Sequence, residues 1–74
     1  MPTSSATEKR RGFRRCRVVH DFAAEHASEL SVAAGDVVLV RAACLKKWDE
    51  WVFAREVDAG GEGYVPHQYV RELL

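Results

Sequence analysis

Trp51-Val52-Phe53-Ala54-Arg55-Glu56-Val57-Asp58-Ala59-Gly60-Gly61-Glu62-Gly63-Tyr64-Val65-Pro66-His67-Gln68-Tyr69-Val70 is the stretch whose reading decides the architecture of this chain. Trp51 to Val57 is rich in β-branched and aromatic residues and reads as a strand. Asp58 to Gly63 is a turn, because its glycines supply positive φ without steric cost. Tyr64-Val65 starts the next strand, and the 13 positions from Trp51 to Tyr64 fit two strands joined by a short hairpin. Pro66-His67-Gln68-Tyr69 has room for a single 3-10 turn, and Val70 to Leu74 closes the domain.

Working outward, Val37-Val38-Leu39-Val40 is the clearest strand, preceded by a turn at Ala33-Ala34-Gly35-Asp36. The alanines between positions 23 and 34 favour helix on propensity alone. The period-two alternation of Leu30-Ser31-Val32 argues against it. Ala42 to Glu50 is expected to be a polar, irregular connection, and Arg17 to Phe22 a short strand. Residues 1–14 read as a disordered basic leader or linker, small and polar at first, then charged. The folded domain is expected over 15–74. Five or so short strands without a long helix indicate an all-β fold, a small closed or nearly closed barrel.

Composition narrows the function. With 74 residues there is one domain, and a fold of this size buries only about 60% of the surface of its unfolded chain. The 11 basic and 11 acidic residues cancel, which argues against a dedicated nucleic-acid binder, although Lys9, Arg10, Arg11, Arg14, Arg15 and Arg17 crowd one end. Cys16 and Cys44 have no CxxC spacing and read as free thiols in a reducing, cytoplasmic setting. No apolar run reaches the roughly 20 residues of a membrane span. Neither a secretory h-region nor a Met-Gly start for myristoylation is present. His20, His26, His67, Cys16 and Cys44 show no close ligand spacing, so no metal or cofactor is expected. Without a phosphate loop, a nucleophile motif or an arguable carboxylate pair, an enzyme is not expected either.

Four fragments in order resemble the SH3 (Src-homology-3) family over residues 17 to 73. Val18-Val19-His20-Asp21-Phe22 stands where the family opens with Ala-Leu-Tyr-Asp-Tyr. Glu29-Leu30-Ser31-Val32-Ala33-Ala34-Gly35-Asp36 matches its acid, Leu, Ser or Thr, apolar, two variable residues, Gly, acid. Trp51 is the family tryptophan; its spacing to Tyr64 favours it over Trp48, which then falls in an n-Src loop slightly longer than in compact relatives. Gly63-Tyr64-Val65-Pro66-His67-Gln68-Tyr69-Val70 resembles the closing Gly-Tyr-apolar-Pro-x-Asn-Tyr-Val. The resemblance implies a five-stranded SH3-like barrel with RT, n-Src and distal loops and a single 3-10 turn. Leu30, Val32, Val38, Val40, Ala54, Val65 and Val70 would form its core.

It also implies a non-catalytic module that binds proline-rich, polyproline II segments of other proteins, in an adaptor, scaffold, signalling or cytoskeletal setting. The partly preformed polyproline II shape loses little entropy on docking into aromatic-walled grooves. By resemblance His20, Phe22, Trp51, Pro66 and Tyr69 line those grooves, Gln68 reaches the ligand backbone, and Tyr64 with Trp51 flanks a third pocket. Glu29 in the RT loop would pair with a flanking Arg or Lys, with Glu25, Asp49 and Glu50 extending the acidic edge. Lys46 and Lys47 oppose that field. His20 and Phe22 replace the two signature tyrosines, so the groove loses two hydroxyl donors. Val37, Leu39 and Phe53 would point outward where relatives carry polar residues. A monomer with this patch covered by Phe13 is the expectation; docking or self-association through it is the alternative. A nucleic-acid-binding barrel, stacking bases on strand aromatics, is the remaining rival.

Overall fold

The computed structural model describes residues 12–73, so most of the expected leader lies outside the described residues. The elements are β1 (Phe13–Val18), β2 (Val37–Arg41), α1 (Ala42–Lys47), β3 (Trp51–Glu56), β4 (Glu62–Pro66), a 3-10 turn (His67–Tyr69) and β5 (Val70–Glu72). The five strands form one antiparallel sheet in the order β4-β3-β2-β1-β5. Strand alternation sends one face of each strand inward. In register, Cys16 faces Val38, Val40 faces Ala54, Val52 faces Val65 and Val18 faces Val70. These eight, with Val32 and Cys44, are the buried core. Its largest fully buried side chain is valine, so every aromatic ring has been left to the surface or its margin.

Three expectations need correction. The strand expected over Arg17 to Phe22 ends at Val18, because the turn before β2 captures the backbone there. The Val18 N–H donates to the Asp36 carbonyl (2.8 Å), the Gly35 N–H to the Val18 carbonyl (2.7 Å) and the Val19 N–H to the Tyr69 carbonyl (2.8 Å). Asp21 then accepts the Ala34 N–H at 2.7 Å, and only an isolated bridge between Phe22 and Val32 remains of the pairing. At its other end the strand begins at Phe13.

The connection expected to be irregular over Ala42 to Glu50 contains α1. Ala42, Ala43, Leu45, Lys46 and Lys47 are all strong helix formers, and the two lysines sit at the C-terminal end where the helix dipole favours them. Six residues are too few to stand alone; burial of Cys44 and packing of Leu45 against the core hold the helix in place. Leu30, expected in the core, is half-buried at its margin.

The outer patch is only partly open. Val37, Leu39 and Phe53 are half-buried. Cover over Phe53 comes from the Arg41 guanidinium, 4.6 Å from its ring centroid, and from Tyr64, packed edge-on at 5.5 Å. Phe13 lies opposite Arg41 in the register and beneath Arg55. Arg15 and Arg17 flank the patch opposite Leu39 and Val37. Among the described residues no helix is long and apolar enough to cross a membrane.

Cys16 and Cys44 are both free and buried. Burial pushes the Cys16 thiol from its ordinary 9.0 to about 11, and the nearby Glu72 carboxylate adds to the effect. A pKa raised on folding leaves stability intact below pH 9.0 and removes it as the pH climbs toward 11. Relative to Cys16→Ala, the native chain is expected to lose on the order of 2 kcal/mol more between pH 8 and pH 11. Denaturant titrations of both proteins check this; parallel pH profiles refute it.

Candidate functional site

The long RT loop between β1 and β2 folds back on itself and lies down on β4. Phe22 and Val32 exchange two backbone hydrogen bonds of 2.9 Å. Farther out, the Tyr64 N–H donates to the Ser28 carbonyl (2.8 Å) and the Leu30 N–H to the Tyr64 carbonyl (3.0 Å). Gly63 makes this possible: a Cβ there would stand 2.7 Å from the Glu29 carbonyl carbon and 2.9 Å from the Leu30 nitrogen, both backbone atoms.

This docking gathers rings from three segments far apart in sequence. His20 stacks on Tyr69 with centroids 4.5 Å apart. Phe22 meets Tyr69 edge-on at 6.2 Å and Trp51 edge-on at 5.8 Å. His20, Tyr69, Phe22 and Trp51 therefore form one continuous ladder along the surface. Trp51 and Tyr64 are 42% and 39% exposed; Phe22, Pro66 and Tyr69 are half-buried, and Gln68 is exposed. Pro66 lies opposite Trp51 in the register, and the 3-10 turn that follows brings Tyr69 back to the ladder.

At one end, a cavity of about 270 Å³ is lined by Ser28, Glu29, Trp51 and Tyr64. One Glu29 oxygen, Oε1, accepts the N–H groups of Glu25 (2.8 Å) and His26 (3.3 Å). Those bonds fix the carboxylate at the loop tip and leave Oε2 without a partner among the described residues. Of the acids grouped with Glu29 in the sequence reading, none lines this cavity. Glu25 contributes its backbone, while Asp49 and Glu50 lie beyond Trp51, where their carbonyls accept from the His67 ring (2.7 Å) and the His67 N–H (2.7 Å) respectively. Glu50 lines a separate cavity of about 410 Å³ with Trp48, Trp51, Pro66 and Gln68.

Trp48 was not among the site residues read from the sequence. It ends α1 in the left-handed conformation, φ 57°, and stacks face to face on His67 with centroids 4.5 Å apart. The available signal was a second tryptophan three positions before Trp51.

A family model described as variant SH3 domain matches residues 15–73. The chain belongs to the SH3 family. Solved SH3 structures superpose on it closely. The C-terminal SH3 domain of myosin IB from Entamoeba histolytica, bound to the EhFP10(GEF) peptide, is 26% identical over 84% of this chain and 95% of that one, with a TM-score of 0.70. The yeast Nbp2p SH3 domain in complex with a peptide from Ste20p is 27% identical over 84% and 88%, TM-score 0.71. SH3 domain 1 of human Rho GTPase-activating protein 10 is 31% identical over 81% and 80%, TM-score 0.65. Among curated proteins, nothing matches.

Proposed function

We propose that this SH3 domain is a non-catalytic receptor for proline-rich segments of other proteins. The observation that carries the reading is the ladder itself: His20, Tyr69, Phe22 and Trp51 in mutual contact on the surface of a domain whose core holds no side chain larger than valine. Proline faces would pack in the hollows between these rings and Pro66. The Trp51 indole N–H and the Gln68 amide would donate to the carbonyls that polyproline II leaves unpaired. An arginine flanking the core would enter the cavity over Glu29 and meet Oε2, its planar fork suiting a carboxylate better than a lysine ammonium does. Two SH3 relatives carry bound peptides in their structures, which supports the peptide class. A myosin and a Rho GTPase-activating protein among the relatives support a cytoskeletal or signalling context. The two buried free thiols support a cytoplasmic one.

The domain works as a monomer on this reading. A symmetric pairing through Val37, Leu39 and Phe53 would set Arg15, Arg17, Arg41 and Arg55 against their own copies. Nucleic acid is disfavoured by the carboxylates of Glu29 and Glu50 beside the rings.

A proline-rich peptide array followed by NMR mapping tests the proposal. Shifts are expected at Phe22, Trp51, Gln68 and Tyr69; peptides that bind but shift only the outer sheet face would refute it. Glu29→Gln is expected to weaken an arginine-flanked peptide about tenfold and to leave the same peptide without its arginine unchanged. Equal losses for both peptides in a calorimetric titration would remove Glu29 from the role given it here.

A further inference from the structure

We infer that the cleft between Trp48 and Trp51 is a second subsite, selective for an arginine side chain outside the proline-rich core. It rests on the groove reading above but uses a different cavity from the one over Glu29; Trp51 is the one residue that lines both. Trp48 is 78% exposed, yet it is held in place. Its N–H donates to the Leu45 carbonyl at 3.3 Å, and its ring lies on His67 within 7° of parallel. His67 is itself tied to the Asp49 and Glu50 carbonyls. The left-handed backbone of Trp48 is the cap that ends α1, a position where glycine is usual and an indole is not. A large indole fixed in water is the kind of surface that binding uses.

The lining defines the ligand. The cleft of about 410 Å³ has two indole walls, Pro66 and Gln68, the Glu50 carboxylate, and no basic group. Glu50 takes part in neither ion pair found among the described residues. Electron-rich indole faces attract a cation, tryptophan most strongly. A guanidinium can stack on an indole and present its fork to a carboxylate, which an ammonium cannot do. An apolar side chain would leave Glu50 unanswered. A neighbouring cavity that also includes Trp48 differs in that its carboxylate, Glu72, is accompanied by the Arg71 guanidinium. Trp48 thus lines both a cation-accepting cleft and one that carries its own cation. A ligand with two arginines, one over Glu29 and one beside Glu50, would engage Trp51 in both cavities.

Two NMR titrations test this. In the first, N-acetyl-arginine amide and N-acetyl-norleucine amide are added separately to the native domain. The arginine compound is expected to move the Trp48 indole N–H and the Gln68 amide, the norleucine compound is not, and Glu50→Gln should cut the response at least about threefold. An unmoved Trp48 indole, or equal responses to both compounds, overturns the inference whether or not any proline-rich peptide binds. In the second, an Arg-Pro-Leu-Pro-Pro-Leu-Pro peptide is compared with versions extended at either end by arginine or by glutamine. One arginine extension is expected to tighten binding roughly threefold to tenfold over its glutamine counterpart. That gain should vanish in Trp48→Gly, which keeps the left-handed turn without strain, while the unextended peptide binds both proteins within about twofold. A gain that survives Trp48→Gly overturns the subsite. Failure of the unextended peptide to bind counts against the groove instead, and the amide titration then decides the cleft.

Discussion

Gly63→Ala is expected to destabilise the domain by about 2–3 kcal/mol, a fall in Tm of roughly 10 °C or more for a chain this size. The reason is one close approach. The new methyl would stand 2.7 Å from the Glu29 carbonyl carbon, 2.9 Å from the Leu30 nitrogen and 2.9 Å from the Ser28 oxygen. All three are backbone atoms, so no side-chain rotamer can relieve the clash. Either β4 or the RT loop must move, and moving the loop breaks the two hydrogen bonds that pin it to Tyr64. Function should fall with stability, because the same loop carries Glu29 and brings Phe22 toward Trp51. Gly60→Ala in the distal turn is the control. Its Cβ would meet nothing within 4 Å, and only its positive φ of 83° opposes the change, a penalty of about 1 kcal/mol. Thermal melts with amide shifts of Ser28, Glu29 and Leu30 measure the difference. Equal losses for the two variants, with unshifted loop amides, would show that the contact is not limiting.

What could be read from the sequence follows from how local each signal is. β2, β3 and β4 announced themselves through β-branched runs punctuated by glycine. β1 was placed four residues late because two of its outward positions, Arg15 and Arg17, are arginines and a third arginine, Arg14, begins its inward face. Arg14, Arg15 and Arg17 join a basic run that looks like a solvated tail, while its buried positions, Cys16 and Val18, gave a faint alternation. The helix after β2 was missed because six residues show no full helical period, and what stabilises it is Cys44 reaching a core built from distant strands. The ladder was legible only through family resemblance: nothing local brings positions 20, 22, 51 and 69 together. The conformation of Trp48 could not have been read at all, since tryptophan is among the last residues one would assign to a left-handed turn. The separation of Glu50 from Glu29 was equally hidden. Glu50 lines a different cavity from Glu29, and its backbone is held by His67 of the 3-10 turn, a tertiary contact.

Trp51→Ala should abolish measurable binding of proline-rich peptides, a loss of at least about 30-fold, while leaving the fold standing. Exposed aromatics in contact pockets carry binding losses of about 2 kcal/mol or more when truncated. Trp51 is the one ring that lines both cavities and touches the ladder through Phe22. It is also 42% exposed and absent from the buried core, so its removal should cost stability only about 1 kcal/mol. Val52 is the internal comparison. It is the next residue in the same strand, and the pleat turns it inward, where it is wholly buried against Val65. Val52→Ala should therefore cost about 2 kcal/mol of stability from lost burial and the cavity left behind, with affinity per folded molecule nearly unchanged. Two neighbours separated by one pleat are expected to divide the work, the first governing recognition and the second folding. Calorimetric binding and denaturant unfolding on both variants test the division. A Trp51→Ala protein that binds normally, or that unfolds as readily as Val52→Ala, would mean that this tryptophan braces the barrel and does not read a ligand.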